Sequence, residues 1–294
     1  MKQVRPKKNL GQHFLTDLNI AKRIADTVDE PYAELPVLEV GPGMGVMTQY
    51  LVEKPRPLKV VEIDRESVAY LKERFSWSEE CGVRSENSSA NEFAADNSPQ
   101  GNLTPHSSLP TPQIIMGDFL RMDLDEVFGG QQFVLTGNYP YDISSQIFFK
   151  MLDNKDLIPC CTGMIQHEVA VRMAAKPGNK QYGILSVLIQ AWYDVEYLFT
   201  VEPSVFNPPP KVQSAVIRMT RNAVTDLGCD EKLFKRIVKA TFNQRRKMLR
   251  VSLRQICNPH PEFFDDPIMT RRPEQLSIPE FIALTNKVAA ELTS

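Results

Sequence analysis

Three glycines at alternate positions directly after a short apolar strand, Val37-Leu38-Glu39-Val40-Gly41-Pro42-Gly43-Met44-Gly45, leave few folds open to this chain. Glycine reaches backbone conformations closed to other residues, so a sharp turn is expected there. Val46, Met47, Tyr50 and Leu51 then recur at helical spacing. A second strand over 59–63 ends in Glu62 and Asp64, and Val68, Leu71 and Phe75 mark the helix after it. Strand, glycine turn, helix, strand, acid is the first half of a doubly wound α/β sheet.

The same alternation continues along the chain. Residues 17–29, with Ile20, Ile24 and Val28, read as a helix that precedes the first strand. Ile114-Ile115-Met116 runs into Gly117-Asp118-Phe119, and a strand over 133–136 runs into Asn138-Tyr139-Pro140-Tyr141. Asp118 and Asn138 therefore fall just beyond strand ends, on the carboxyl edge where such sheets bind ligands. A helix burying Ile147, Phe148, Met151 and Leu152 follows, with Asp142 as its expected cap. A strand over 158–165, a helix over 183–190 and strands over 192–201 and 213–220 come next, the last two as an antiparallel pair at one edge. Beyond Arg221 the pattern is helical, with stripes at Leu233, Phe234, Ile237 and Val238 and at Leu249, Leu253 and Ile256, and a capping box at Ser277–Glu280. The expected organisation is a domain over 1–221 and a small helical domain over 222–294 that could extend a cleft wall. Residues 76–112, rich in Ser, Asn and Pro, read as a flexible insertion with Trp77 and Phe93 as its anchors.

Composition narrows the function classes. The 294 residues are 42% hydrophobic, enough to bury a core, yet no run of 18 apolar residues occurs and the start lacks the apolar stretch of a secretory signal. Five cysteines without a CxxC and four scattered histidines give no metal-ligand spacing, so a cytoplasmic protein without a metal is expected. The net charge of −2 conceals two basic segments, Lys2, Arg5, Lys7 and Lys8 near the start and nine Lys and Arg with no acid between 232 and 254. Such segments on a mildly acidic chain suggest a local phosphate footprint, the alternative being a solvated helix face.

The residues after the strands carry the chemistry. The Asn138 amide oxygen and the Pro140 carbonyl are acceptors that can take both N–H bonds of an amine attached to a nucleobase. Placed out of the ring plane, they favour the pyramidal nitrogen found near the transition state of its alkylation. Tyr141 could stack on the base, and Phe206, in a loop stiffened by Pro208, Pro209 and Pro210, could oppose it or simply plug that loop onto the sheet. The four residues 138–141 could also be no more than a strand-end turn. Glu39 directly before the glycines would be unwelcome beside a pyrophosphate and suits a cofactor with a cationic end, which favours S-adenosylmethionine over NAD. Glu62 is placed for ribose hydroxyls, Asp118 for an adenine amine, and Phe119 or Met44 for packing on that ring. Gln12 and His13 could close over the cofactor, whereas His167 and Glu168 are assigned to packing or surface.

These motifs resemble, in order along the chain, the small-subunit ribosomal RNA adenine N6,N6-dimethyltransferases. KKNLGQHFL, LEVGPGMGVMT, VEIDR, GDF, NYPY and VFNPPPKVQSAV carry the resemblance, which spans about residues 5–220 and continues more loosely through the helical tail. It implies a Rossmann-like S-adenosylmethionine-dependent methyltransferase that dimethylates two adjacent adenosines in a hairpin loop near the 3′ end of small-subunit rRNA, late in ribosome assembly. It implies cofactor contacts from Gln12, His13 and Leu15, from Glu39, Gly41 and Gly43 at the methionine end, from Glu62 at the ribose and from Asp118 and Phe119 at the adenine, with Asn138 beside them. Asn138, Pro140, Tyr141 and Phe206 would hold the target base, and Lys7, Lys8, Lys211, Arg245, Arg246 and Lys247 would face RNA. The expected partner is rRNA in a pre-assembled small-subunit particle, met by a monomeric enzyme. The family's tetrad usually has leucine second. Tyr139 stands there, leaving both acceptors intact but with a ring that could narrow or polarise the pocket. Two other classes fit the same residues: a DNA amino-methyltransferase, weakened by the lack of a target-recognition domain, and an assembly factor whose catalysis is secondary.

Overall fold

In a computed structural model, residues 6–7, 12–75, 111–257 and 261–293 are described. The chain opens with a two-residue strand, β1 (Phe14–Leu15), and helix α1 (Leu18–Asp26), whose N-terminus is capped by the Asp17 carboxylate accepting from the N–H groups of Asn19 and Ile20. β2 (Val37–Val40), α2 (Thr48–Leu51), β3 (Leu58–Glu62), α3 (Arg65–Phe75) and β4 (Gln113–Met116) form the first half of the sheet. β5 (Val134–Thr136), α4 (Ser144–Asp153), β6 (Cys160–Gln166), α5 (His167–Ala174), α6 (Ile184–Gln190), β7 (Tyr193–Val201), β8 (Phe206–Asn207) and β9 (Ser214–Arg221) follow. The tail contributes α7 (Glu231–Asn243), α8 (Leu249–Ser252) and α9 (Ile278–Thr293).

The main sheet has the order β4-β3-β2-β5-β6-β9-β7. β2 to β6 are parallel, and β9 is antiparallel to both β6 and β7. From β2 the chain winds outward to β3 and β4, then crosses back to β5 and β6. The crevice of an open α/β sheet lies where that direction reverses, at the carboxyl ends of β2 and β5.

Residues along the strands divide between two cores with period two, as a sheet covered on both faces requires. Leu38, Val61, Leu135, Cys161, Ile165 and Ile217 face one core; Val37, Val60, Val134, Cys160, Met164 and Val216 face the other. The first core runs without interruption into Phe234, Ile237, Val238, Phe242, Leu253, Phe281 and Leu284, so the helical tail completes the cover of that face. Among the described residues no helix is long and apolar enough to cross a membrane.

Several local expectations are corrected. Residues 46 and 47 belong to the glycine turn, and the helix begins only at Thr48. The N-cap of α4 is Ile143 without a side-chain bond, so Asp142 does not cap it and is left exposed at the turn. His167 and Glu168 open helix α5, which the sequence reading did not assign; Glu168 pairs with Arg172 one turn on, and His167 meets the Tyr197 ring edge-on. The β1–β8 pair, with Leu15 opposite Phe206, was also unforeseen. Trp77, Phe93 and the insertion they were to anchor lie outside the described residues apart from Thr111 and Pro112.

Candidate active site

The glycine turn opens the site because three residues take left-handed backbone. Gly41, Gly43 and Gly45 have φ of 68°, 56° and 72°, which other residues rarely adopt. At Gly45 a Cβ would lie 2.7 Å from Phe75 Cε2 and 2.9 Å from Leu71 Cδ2, so α3 closes tightly on the turn. A cavity of about 260 Å³ lies above this turn and the ends of β2, β3 and β5. Gln12, His13, Leu15, Glu39, Gly41, Gly43, Glu62, Asp118, Phe119, Asn138, Pro140 and Tyr141 all line it. Twelve residues drawn from five separate stretches of sequence are thus brought to one wall.

Its floor is acidic. Glu39, on β2, is 1% exposed, and its carboxylate accepts from the Thr48 hydroxyl at 2.6 Å. Burial pushes its pKa up to about 8, against the Thr48 bond and with the help of nearby Glu62. Glu62, ending β3, is buried too, and burial raises its pKa even though the N–H groups of Asp64 and Gly43 donate to it at 2.9 and 3.1 Å. Glu39, with a single donor, and Glu62, held by backbone N–H groups, form a place for a cation and for hydroxyl donors. That is what the amino, sulfonium and ribose groups of S-adenosylmethionine would present, so the residues fit that cofactor. Asp118 is half-buried, with one oxygen accepting from Leu120 N at 2.9 Å and the other 3.4 Å from Arg121 Nε. Phe119 is buried beside it, and Ile63 is exposed on the same wall.

At the other end stands the Asn-Tyr-Pro-Tyr turn. Asn138 Nδ2 donates to the main-chain carbonyl of His13 at 3.2 Å. That bond fixes which way the amide faces, leaving Oδ1 as an acceptor that no described donor reaches. The Pro140 carbonyl accepts from Ile143 N at 3.2 Å and keeps its second lone pair. The Tyr141 hydroxyl lies 2.5 Å from Ser214 Oγ, and the His13 ring stacks on the Tyr141 ring with centroids 5.5 Å apart and planes at 27°. His13 is held in turn by Pro208 O, 2.8 Å from its Nδ1.

Four assignments read differently in the structure. Phe206 does not oppose Tyr141. It is 4% exposed, pairs with Leu15 across the β1–β8 ribbon and packs in the second core, which is the plug alternative; His13 occupies the Tyr141 face instead. Lys7 is bound to protein, its Nζ 2.6 Å from buried Asp64 and 3.5 Å from Glu66, rather than offered to a phosphate. Arg245 is half-buried, donating to Asn179 O at 3.3 Å and lying 4.0 Å from Glu274. Tyr139 borders the cavity, but its phenol does not polarise it, because the ring is buried beneath the sheet edge with its hydroxyl on Thr162 O at 2.9 Å. Arg246, Lys247 and Lys211 are exposed with no ion-pair partner among the described residues, and Lys8 lies outside them. Thr48 and Ser214, which hold Glu39 and Tyr141, were missed; small hydroxyls in a helix and a strand carry no sequence signal of their own.

This chain resembles proteins of one kind over nearly its whole length. A family model described as ribosomal RNA adenine dimethylase matches residues 3–266. A protein of Phocaeicola vulgatus called ribosomal RNA small subunit methyltransferase A is 61% identical over 289 residues, 98% of this chain and 91% of the relative. The protein of that name in Bacteroides thetaiotaomicron is 60% identical over 292 residues, covering 99% and 97%. Among solved structures, a dimethyladenosine transferase of Plasmodium falciparum superposes with a TM-score of 0.72 at 20% identity, over 95% of this chain and 98% of that one. The 23S rRNA methyltransferase ErmE does so with a TM-score of 0.61 at 24% identity, over 93% and 99%. The two structures establish the Rossmann-like methyltransferase fold with its helical extension, and the family match together with the close relatives places the chain itself: it belongs to the ribosomal RNA adenine dimethylase family.

Proposed function

We propose that this protein transfers methyl groups from S-adenosylmethionine to the N6 amine of two adjacent adenosines in a hairpin loop near the 3′ end of small-subunit rRNA, giving N6,N6-dimethyladenosine. The partner is a pre-assembled small-subunit particle, met in the cytoplasm by a monomeric enzyme. The observation that carries the reading is the orientation of Asn138, whose amide is turned by the His13 carbonyl so that a free acceptor faces the cavity beside Pro140 O.

When bound, S-adenosylmethionine supplies a methyl carbon activated by its sulfonium. Glu39 and Glu62 hold its amino and ribose groups, and Asp118 accepts from its adenine amine. Asn138 Oδ1 and Pro140 O accept the two N–H bonds of the target amine, drawing its lone pair out of conjugation and toward the methyl carbon. Tyr141, tethered through Ser214, stacks on the target base once His13 leaves that face. As the N–C bond forms, the methyl–sulfur bond of the cofactor would break, its electron pair leaving with sulfur as the neutral thioether S-adenosylhomocysteine, and the amine proton becomes acidic and passes to solvent, so no strong base is required. The second round uses the same acceptors with one N–H left.

The test is transfer of labelled methyl to purified small subunits lacking the modification, with duplex DNA in parallel and the product base identified by mass. N6,N6-dimethyladenosine in the subunit RNA, lost in Asn138→Ala while cofactor affinity persists, is the expected result. Label in DNA, or an Asn138→Ala enzyme that loses cofactor binding in parallel, would overturn it.

A further inference from the structure

Tyr139 stands between the two acceptors, and its side chain points the other way. From Gly137 to Tyr139 the chain runs beside β6, with Met164 N donating to Gly137 O at 2.9 Å and Tyr139 N donating to Met164 O at 3.0 Å. Side chains alternate along such a segment, so Asn138 faces the cavity and the Tyr139 ring passes beneath the sheet edge, where 1% of it is exposed. There it lies across two glycines. A Cβ at Gly163 would stand 2.8 Å from its Cε2, and one at Gly137 3.2 Å from its Cε1. Gly163 itself has φ of 142°.

The phenol ends on β6. It donates to Thr162 O at 2.9 Å, with Cys161 Sγ 3.2 Å away, and the ring meets Phe148 of α4 edge-on at 5.5 Å and 76°. The β5–β6 ladder ends at Leu135 opposite Cys161 and the Asn138–Met164 bridge lies beyond it, so the phenol joins β6 at Thr162, between the two. Burial keeps the hydroxyl protonated, raising its pKa well above the ordinary value, and the ring is therefore a neutral, permanent donor.

We propose that Tyr139 is a positioning residue for methyl transfer: locked to the Thr162 carbonyl, it sets the height of the Asn138 and Pro140 acceptors above the sheet edge. The inference rests on the acceptor role given to those two residues. Acceptors aimed at an amine only as it becomes pyramidal act through angle and distance, and small displacements weaken them without affecting cofactor binding. The anchor holds the tetrad from below: the residue borders the cavity, but its ring and hydroxyl are buried.

Tyr139→Phe removes one oxygen and keeps the ring between the glycines and Phe148. Tyr139→Leu removes ring and hydroxyl together but leaves the site apolar. Both are assayed below their unfolding transitions, beside Asn138→Ala, for kcat, for KM toward subunit RNA and for Kd of S-adenosylmethionine. The expected result is a fall in kcat of about tenfold for Tyr139→Phe and more for Tyr139→Leu, with Kd and KM within about twofold of the parent. If Asn138→Ala collapses turnover while Tyr139→Phe keeps the parent kcat, the positioning role is wrong and the acceptor role stands. If Tyr139→Phe loses cofactor or RNA affinity in step with kcat, the phenol serves packing only and the proposal is overturned. An Asn138→Ala enzyme with near-normal turnover would remove the acceptor role and this inference with it.

Discussion

Glu39→Gln should make the free protein more stable and useless for binding its cofactor. Glu39 is 1% exposed, the Thr48 hydroxyl is the one described donor on it, and burial lifts its pKa from 4.5 to about 8. In the unfolded chain the group ionises near its ordinary value, so between about pH 4.5 and pH 8 the folded state holds a proton that the unfolded state has released. Stability therefore falls as pH rises through that window and levels off above it. A displacement of about 3.5 pH units corresponds to on the order of 5 kcal/mol at the upper plateau. Glutamine carries no charge to desolvate and its amide oxygen can still accept from Thr48, so the variant should lack this slope. Urea unfolding of the unliganded proteins from about pH 5 to about pH 9 reads the difference directly. The two should nearly coincide at the acid end, and the variant should gain by several kcal/mol at the alkaline end, while calorimetry finds its S-adenosylmethionine binding lost. A gap that does not grow with pH, or a variant less stable at pH 8, would refute the claim that Glu39 is held against its own charge until a cation arrives.

The same carboxyl links cofactor affinity to pH. A cationic ligand requires the ionised form, so the apparent affinity should rise about tenfold per pH unit up to about pH 8 and then flatten, and calorimetry in buffers of different ionisation enthalpy should detect proton release near pH 7; no proton release would count against it. Arg246→Glu with Lys247→Glu should weaken subunit RNA binding and flatten its dependence on salt by about one unit per charge removed, whereas Arg245→Glu, which breaks the bond to Asn179 O, should instead lower the melting temperature. A salt titration in which all three positions behave alike would contradict that division. Gly45→Ala should destabilise the fold by about 1–3 kcal/mol, because φ of 72° disfavours any side chain and the new Cβ would press on Phe75 and Leu71. An unchanged denaturation midpoint would mean that the turn relaxes.

What the sequence made legible followed from chemistry that local pattern encodes. Alternate glycines at 41, 43 and 45 can have little purpose but a left-handed turn, and acids or amides just past strands fall on the carboxyl edge whatever lies between them. Those two rules are enough to gather Glu39, Glu62, Asp118 and Asn138, which line one cavity. What escaped was decided by pairing across long separations. Nothing near Phe206 says that it will lie opposite Leu15 in a two-residue ribbon, and that ribbon is what turns a candidate stacking ring into a core residue. Lys7 and Arg245 were misread for a related reason: a basic cluster looks the same in sequence whether its members meet phosphate or, as these do, Asp64 and the Asn179 carbonyl. Helix α5 was missed because its opening, Gln166-His167-Glu168, carries no side-chain cap.

The two ends of the cavity use oxygen in opposite ways, and the difference explains why the residue at 138 is an amide. At the cofactor end, Glu39 has the Thr48 hydroxyl alone and Glu62 is held by backbone N–H groups, which leaves lone pairs on both for a ligand that brings a cation and hydroxyls. At the amine end a carboxylate would be the stronger acceptor, yet it would place an anionic oxygen about where Asn138 Nδ2 now meets the His13 carbonyl at 3.2 Å. Two acceptors facing each other at that distance repel, and in a half-buried site the repulsion is poorly screened. The carboxylate would have to rotate away, and its aim at the amine would be lost. An amide solves both problems with one group, since its nitrogen satisfies the His13 carbonyl and its oxygen is thereby left free, as the proposed acceptor role needs. His13 thus shapes the site twice, its carbonyl orienting Asn138 and its ring covering Tyr141. On the function proposed above, entry of a base onto Tyr141 would require the ring to move while the carbonyl stays. Rotation about the side-chain bonds of His13 achieves that, once the bond from its Nδ1 to Pro208 O is released.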